Sequence, residues 1–167
     1  HPHLYGDGVK EPWEKMKSKK RESIADGLPR SLPPLHRAHR LQDRAAGVGF
    51  DWPDTSGPSQ KIGEELAEVQ QHLVNRPPLE PHAAPIIDEG HEALESELGD
   101  LLFAVVNLCR KAGVHASLAL DRANLKFENR FRAVESIAKE RGLVLGAASL
   151  EELDAIWDEV KASESRT

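Results

Sequence analysis

A handful of acidic residues have spacing that could do chemistry. In "QKIGEELAEVQQHL", residues 60–73, Glu64, Glu65 and Glu68 crowd into about 1.5 turns of one expected helix. In "ESELGDLLFAVVNLC", Glu97 and Asp100 stand one turn apart at the mouth of the most apolar run in the chain, where an unpaired carboxylate is costly to desolvate. Helical positions i, i+3, i+4 and i+7 share a face. Lys61, Glu64, Glu65 and Glu68 can therefore project together, as can Glu97 and Asp100 from the next long helix. If those faces meet, the carboxylates repel, and solvent, protonation or a cation must relieve them. All the donors are oxygens, with no His or Cys among them, which favours Mg²⁺ or Mn²⁺ over zinc. The competing reading is a solvated helix face for Glu64, Glu65 and Glu68, and the second acidic pair weighs against it. Di-iron bundles use Glu-x-x-His, whereas here the i+3 position is Asp100.

Mg²⁺ held by a few carboxylates usually shares its other positions with phosphate oxygens, so a phosphorylated ligand is expected, with cations to meet it. "KFENR" supplies Lys126 and Arg130 at i and i+4 with Asn129 between them, against the alternative of a solvated face. Trp157 and Lys161 repeat the spacing, although Ile156 and Val160 beside Trp157 suit a core residue equally well. His36 and His39, one turn apart without nearby acids, read as ordinary surface residues. "HEALE" at 91–95 lacks the second His of a zincin helix, and no Gly-x-x-x-x-Gly-Lys loop occurs.

Helices must position these groups. Residues 1–30 mix Gly, Pro and the basic "KMKSKKRE" and read as a linker or arm with little core. From Ser31, a candidate cap, Leu35, Ala38, Leu41 and Ala45 recur at helical spacing. After the turn-rich "GFDWPDTSG", Pro58 is expected to open a second helix whose stripe is Ile62, Leu66, Val69 and Leu73, with the acids beside it. Four prolines make 76–90 a loop, open to motion. The third helix is apolar on nearly all sides, as for the centre of a bundle or a subunit interface. A fourth is expected from about Ser117 to Arg141, closed by Gly142, and a fifth from the capping-box pair Ser149 and Glu152. The expectation is an all-α chain.

The 167 residues suit one domain, over 31–162, with a short tail at 163–167. The formal charge of −6 provides no basic field for nucleic acid. The lone Cys109 reads as a small buried hydrophobe and fits a reducing, cytoplasmic setting. No apolar run approaches the roughly 20 residues that cross a bilayer.

Taken in order, "VGFDWPD", "KIGEELAEV", "ESELGDLLFAVVNL", "ANLKFENRFRAVE" and "LDAIWDEVK" closely resemble the MazG nucleoside triphosphate pyrophosphohydrolases, in particular their C-terminal catalytic domain. The opening "HPHLYGDG" resembles the segment joining that family's two repeated domains. The resemblance implies a four-helix-bundle-like fold assembled as a homodimer, and hydrolysis of NTPs or dNTPs to monophosphate and pyrophosphate for nucleotide-pool cleansing. It implies Glu65, Glu68, Glu97 and Asp100 as Mg²⁺ ligands, with Lys61, Lys126, Arg130, Trp157 and Lys161 at the nucleotide, and Asn129, between Lys126 and Arg130, is expected to join them at the substrate. Glu64 is the expected base, with Lys126 and Arg130 neutralising charge in the transition state. The alternative is a noncatalytic nucleotide or alarmone sensor with the same helices. The loop at 76–90 is longer than the family's usual connector and bears on access and substrate preference.

Overall fold

The computed structural model describes residues 21–166, and most of the expected arm, residues 1–20, lies outside them. Among the described residues there are five helices and no strand: α1 (Pro34–Gly47), α2 (Ser56–Leu73), α3 (His91–Lys111), α4 (Ala116–Glu140) and α5 (Leu150–Glu164). The all-α expectation is met. No single described helix is long and apolar enough to cross a membrane.

Two helix starts differ from the sequence expectation, each for a backbone reason. Ser31 does not cap α1, because Pro33 takes that position with ψ at 137°, and a residue preceding proline is pushed out of the helical region. Pro34 then opens the helix, where its missing N–H has no intrahelical partner to lose. In α2 the helix begins at Ser56, leaving Pro58 inside the first turn, where the same tolerance applies.

The ends follow the glycines. Gly113 and Gly142 take φ of 80° and 70°. Val114 N–H returns to Cys109 O at 2.8 Å and Leu143 N–H to Ala138 O at 2.9 Å, the bonds that close a helix through a left-handed residue. At α5, Glu152 N–H donates to Ser149 Oγ and Ser149 N–H to Glu152 Oε1, both at 3.1 Å, completing the capping box.

The chain divides into two compact units, one ending at Ser117 and one beginning at Leu118. In the first, α3 packs against both α1 and α2. Within the 21–30 stretch Leu28 is buried, and the buried Arg44 of α1 donates from Nη1 to Ile24 O and Asp26 O, tying that stretch to the helix. In the second unit Val134 and Ala138 of α4 meet Ile156 and Val160 of α5, with Leu143, Leu153 and Trp157 packed around them. The proline-rich segment is helix-free from Val74 to Gly90. Its base is cross-linked rather than loose: Arg76 donates to Ile86 O at 3.0 Å and to Asp88 Oδ1 at 3.2 Å.

Candidate metal centre

The buried stripe of α2 is Pro58, Glu65 and Val69. This corrects the expected apolar stripe: Leu66 and Leu73 are exposed, and an acid lies in the covered face instead of beside it. Glu65 tolerates that position because Lys61, one turn earlier, reaches its Oε1 at 2.8 Å, and a paired carboxylate escapes most of the cost of burial. The Lys61 ammonium is in turn held above its usual pKa, first by this hydrogen bond and the adjacent Glu65 charge.

Opposite, α3 presents Glu97 and Asp100. One carboxylate oxygen from each of Glu65, Glu97 and Asp100 lies within 4.8 Å of the other two. Three convergent hard oxygens, without nitrogen or sulfur, suit a divalent cation such as Mg²⁺ or Mn²⁺. Glu68 is exposed and outside this group, while Glu64 is exposed and sits 3.7 Å from Lys61 Nζ.

The remaining expected contacts belong to the second unit. Arg130 forms a forked pair with Glu164, Nε donating at 3.0 and 2.9 Å and Nη2 reaching Oε2 at 2.8 Å. Its guanidinium also lies 5.8 Å from the centre of the Trp157 ring, which Phe127 meets at 5.6 Å. Arg130 holds the Glu164 carboxyl below its ordinary pKa, and the charges of Lys126 and Lys161 act in the same direction. Lys126, Arg130 and Lys161 thus share one electrostatic neighbourhood, and the exposed Asn129 lies on the same stretch of α4.

Residues 59–135, which include both acidic helix faces and the Lys126–Arg130 stretch, match the model of the MazG nucleotide pyrophosphohydrolase domain. Over these residues the chain is similar to a MazG-family domain. The chain is 41% identical to an Escherichia coli nucleoside triphosphate pyrophosphohydrolase, over 98% of this chain and 63% of that protein. It is 36% identical to the Thermotoga maritima nucleoside triphosphate pyrophosphohydrolase/pyrophosphatase MazG, over 98% of this chain and 61% of that one. The uncharacterised Bacillus subtilis protein YabN is also 36% identical, over the whole of this chain and 34% of its own length. The chain therefore spans about three-fifths of the length of the first two relatives.

Two features of the chain were not legible as site elements. The first is an ionic latch. Asp51 of the connector receives Arg110 Nη2 at 2.5 Å and Lys111 Nζ at 3.0 Å from the end of α3. The Arg110 hydrogen bond, then that of Lys111, holds the Asp51 carboxyl down at about 2. A carboxyl depressed in the folded state stabilises the fold above its unfolded pKa of about 4, and that stabilisation fades as pH falls toward 2. Asp51→Ala is expected to cost about 2 kcal/mol at pH 7. Urea melts at pH 7 and pH 2 check this: the gap between variant and wild type should shrink strongly in acid.

The second feature corrects the surface reading of His36 and His39. Both are partly buried, because His115, far along the chain, stacks its ring on both: the centroids lie 5.2 Å from His36 and 4.4 Å from His39. His36 Nδ1 and His115 Nε2 share a hydrogen bond at 3.1 Å. Burial keeps the His39 pKa below its ordinary value, although Asp43 pulls the other way. The trio thus packs α1 against the residue just before α4.

Proposed function

We propose that this chain hydrolyses nucleoside triphosphates to the monophosphate and pyrophosphate with a divalent cation, Mg²⁺ or Mn²⁺. The observation that carries the reading is the convergence of Glu65, Glu97 and Asp100 from two helices inside the matched domain. These three carboxylates would hold the ion, with Glu68, one turn beyond Glu65, as a further ligand. When bound, such an ion screens phosphate charge and makes a coordinated water more acidic.

The side chains do the rest. Lys61 fixes the rotamer of Glu65 through its 2.8 Å bond and offsets the mutual repulsion of the acids. Glu64, exposed on the same helix, accepts the proton of the attacking water. The water oxygen bonds to the α-phosphorus as the bond to the α–β bridging oxygen breaks, and pyrophosphate departs with that electron pair. Lys126, Arg130 and Lys161 supply positive charge for phosphate oxygens, with Asn129 and Trp157 as further nucleotide contacts. Incubating the protein with each NTP and dNTP and Mg²⁺ tests the reading by product. Pyrophosphate in step with monophosphate is expected; orthophosphate alone, or binding without product, overturns it.

A homodimer in a cytoplasmic setting, serving nucleotide-pool cleansing, completes the proposal. Leu98, Leu102 and Val105 of α3 are exposed at successive steps of four and three, an apolar stripe of the kind covered at subunit interfaces. Light scattering after size exclusion should give twice the chain mass.

A further inference from the structure

In the second unit one carboxylate is surrounded by more positive charge than it can neutralise. Arg130 of α4 closes a fork on Glu164, the last residue of α5: Nε donates at 3.0 and 2.9 Å, and Nη2 lies 2.8 Å from Oε2. The charges of Lys126 and Lys161 act on the same carboxylate. We infer that Glu164 is a resident anion standing where a phosphate group of the substrate binds, so that the phosphate chain displaces it on entry and Glu164 sets the affinity for polyphosphate. The inference rests on the proposed hydrolysis for the identity of the ligand, and on the following contacts for the place.

Shape and charge come first. A guanidinium fork fits two oxygens of a carboxylate and two oxygens of a phosphate alike. The Arg130 fork is therefore a phosphate seat already filled from within the chain. Glu164 neutralises one of three cations, and the surplus favours a ligand with more than one negative charge. The other ion pair between these helices shows the contrast. Arg141, just past α4, also forks on an acid of α5, Glu159, at 2.8 and 3.1 Å. Among the described residues Arg141 is the one cation that acts on Glu159. That pair staples the helices. With it and the cluster around Ile156 in place, the packing of α4 on α5 does not need Glu164.

Displacing this acid also takes little. Its side chain is 44% exposed, so it passes straight into water when Arg130 changes partner. It ends α5, where the last carbonyls make the helix terminus negative and disfavour an acid. Val160, the last buried residue of α5, lies about one turn earlier, so Glu164 can swing without disturbing the packed face. Arg130 keeps its place: its side chain is 20% exposed, and the guanidinium lies 5.8 Å from the centre of the Trp157 ring. The seat is preorganised, and its occupant is not.

Calorimetric binding of the α,β-methylene analogues of the four NTPs with Mg²⁺ to the full chain tests this without turnover, because the scissile bridge is blocked. Glu164→Gln removes the charge at nearly constant shape and is expected to lower Kd about fivefold. An unchanged Kd, a higher one, or no binding to either protein overturns the inference; a higher Kd would make Glu164 a support for Arg130 and not a stand-in for phosphate. The wild-type chain supplies a second measurement that does not depend on how the variant folds. In the free chain, Arg130 holds the Glu164 carboxyl below its ordinary range. Followed by carbon-13 NMR, that titration should move back up when the analogue saturates the protein, and a titration that stays in place overturns the inference. The two readings fail separately. Tighter binding by Glu164→Gln with no pyrophosphate from any NTP keeps the displacement and removes the hydrolysis. Pyrophosphate release with Kd unmoved by the substitution keeps the hydrolysis and removes the displacement.

Discussion

Asp100→Ala is expected to lower pyrophosphate release by at least about 10³-fold while leaving the helical circular dichroism unchanged. The magnitude follows from the donor count. Among the described residues only Glu65, Glu97 and Asp100 have oxygens within mutual reach of one ion, and losing one of them removes a ligand and part of the charge that holds the cation. The fold should survive because the Asp100 side chain is exposed and no core contact depends on it. Apo stability should hold or rise, since one member of a like-charged group is gone. Thermal melts with and without Mg²⁺ separate these effects. Wild type should gain about 2.7 kcal/mol when Mg²⁺ is at a hundred times its Kd, and the variant should gain almost nothing. Glu95→Ala, on the same helix but outside the group and paired with His91 at 3.2 Å, should retain both activity and the Mg²⁺ response. Turnover by Asp100→Ala within tenfold of wild type would remove this carboxylate from the site.

Why Asp100 could be singled out from sequence, and Asp51 could not, is a matter of range. The pairing of Glu97 with Asp100, the capping box at Ser149 and the glycines at 113 and 142 are encoded within four or five residues, where helical geometry alone decides which groups meet. The partner of Asp51 is Arg110, and the partner of His39 is His115. Such contacts follow from how α1, the connector and α3 pack, which local periodicity does not specify. Glu65 marks the boundary between the two cases. Its spacing from Lys61 foretold the ion pair, yet hydropathy placed the covered face of α2 on Leu66 and Leu73, both of which are exposed. Pattern reading assigns burial to the most apolar arc. In this chain Glu65, paired with Lys61, takes a covered place on α2, and the leucines are left exposed.

Ile156→Ala carries the largest expected cost in stability, about 3 kcal/mol, because it removes most of a side chain that is 1% exposed and sits in the only buried cluster described for the second unit. The surrounding residues cannot collapse into the space readily. Val134 and Ala138 are fixed by the backbone of α4, and Leu143 is pinned by the bond from its N–H to Ala138 O. A unit whose core is built on Val134, Ala138, Ile156 and Val160 has little stability in reserve. The variant should therefore open α5 locally at temperatures where the first unit is still folded. Hydrogen exchange resolves this: amides of Leu150–Glu164 and the end of α4 should lose protection, while those of α2 and α3 keep theirs. Opening α5 also releases Trp157 from Phe127 and Arg130 from Glu164. If α5 contributes Trp157 and Lys161 to nucleotide binding, KM should rise with temperature more steeply in the variant than in wild type. Unchanged exchange across α5 would show that the cluster around Ile156 does not hold this unit together.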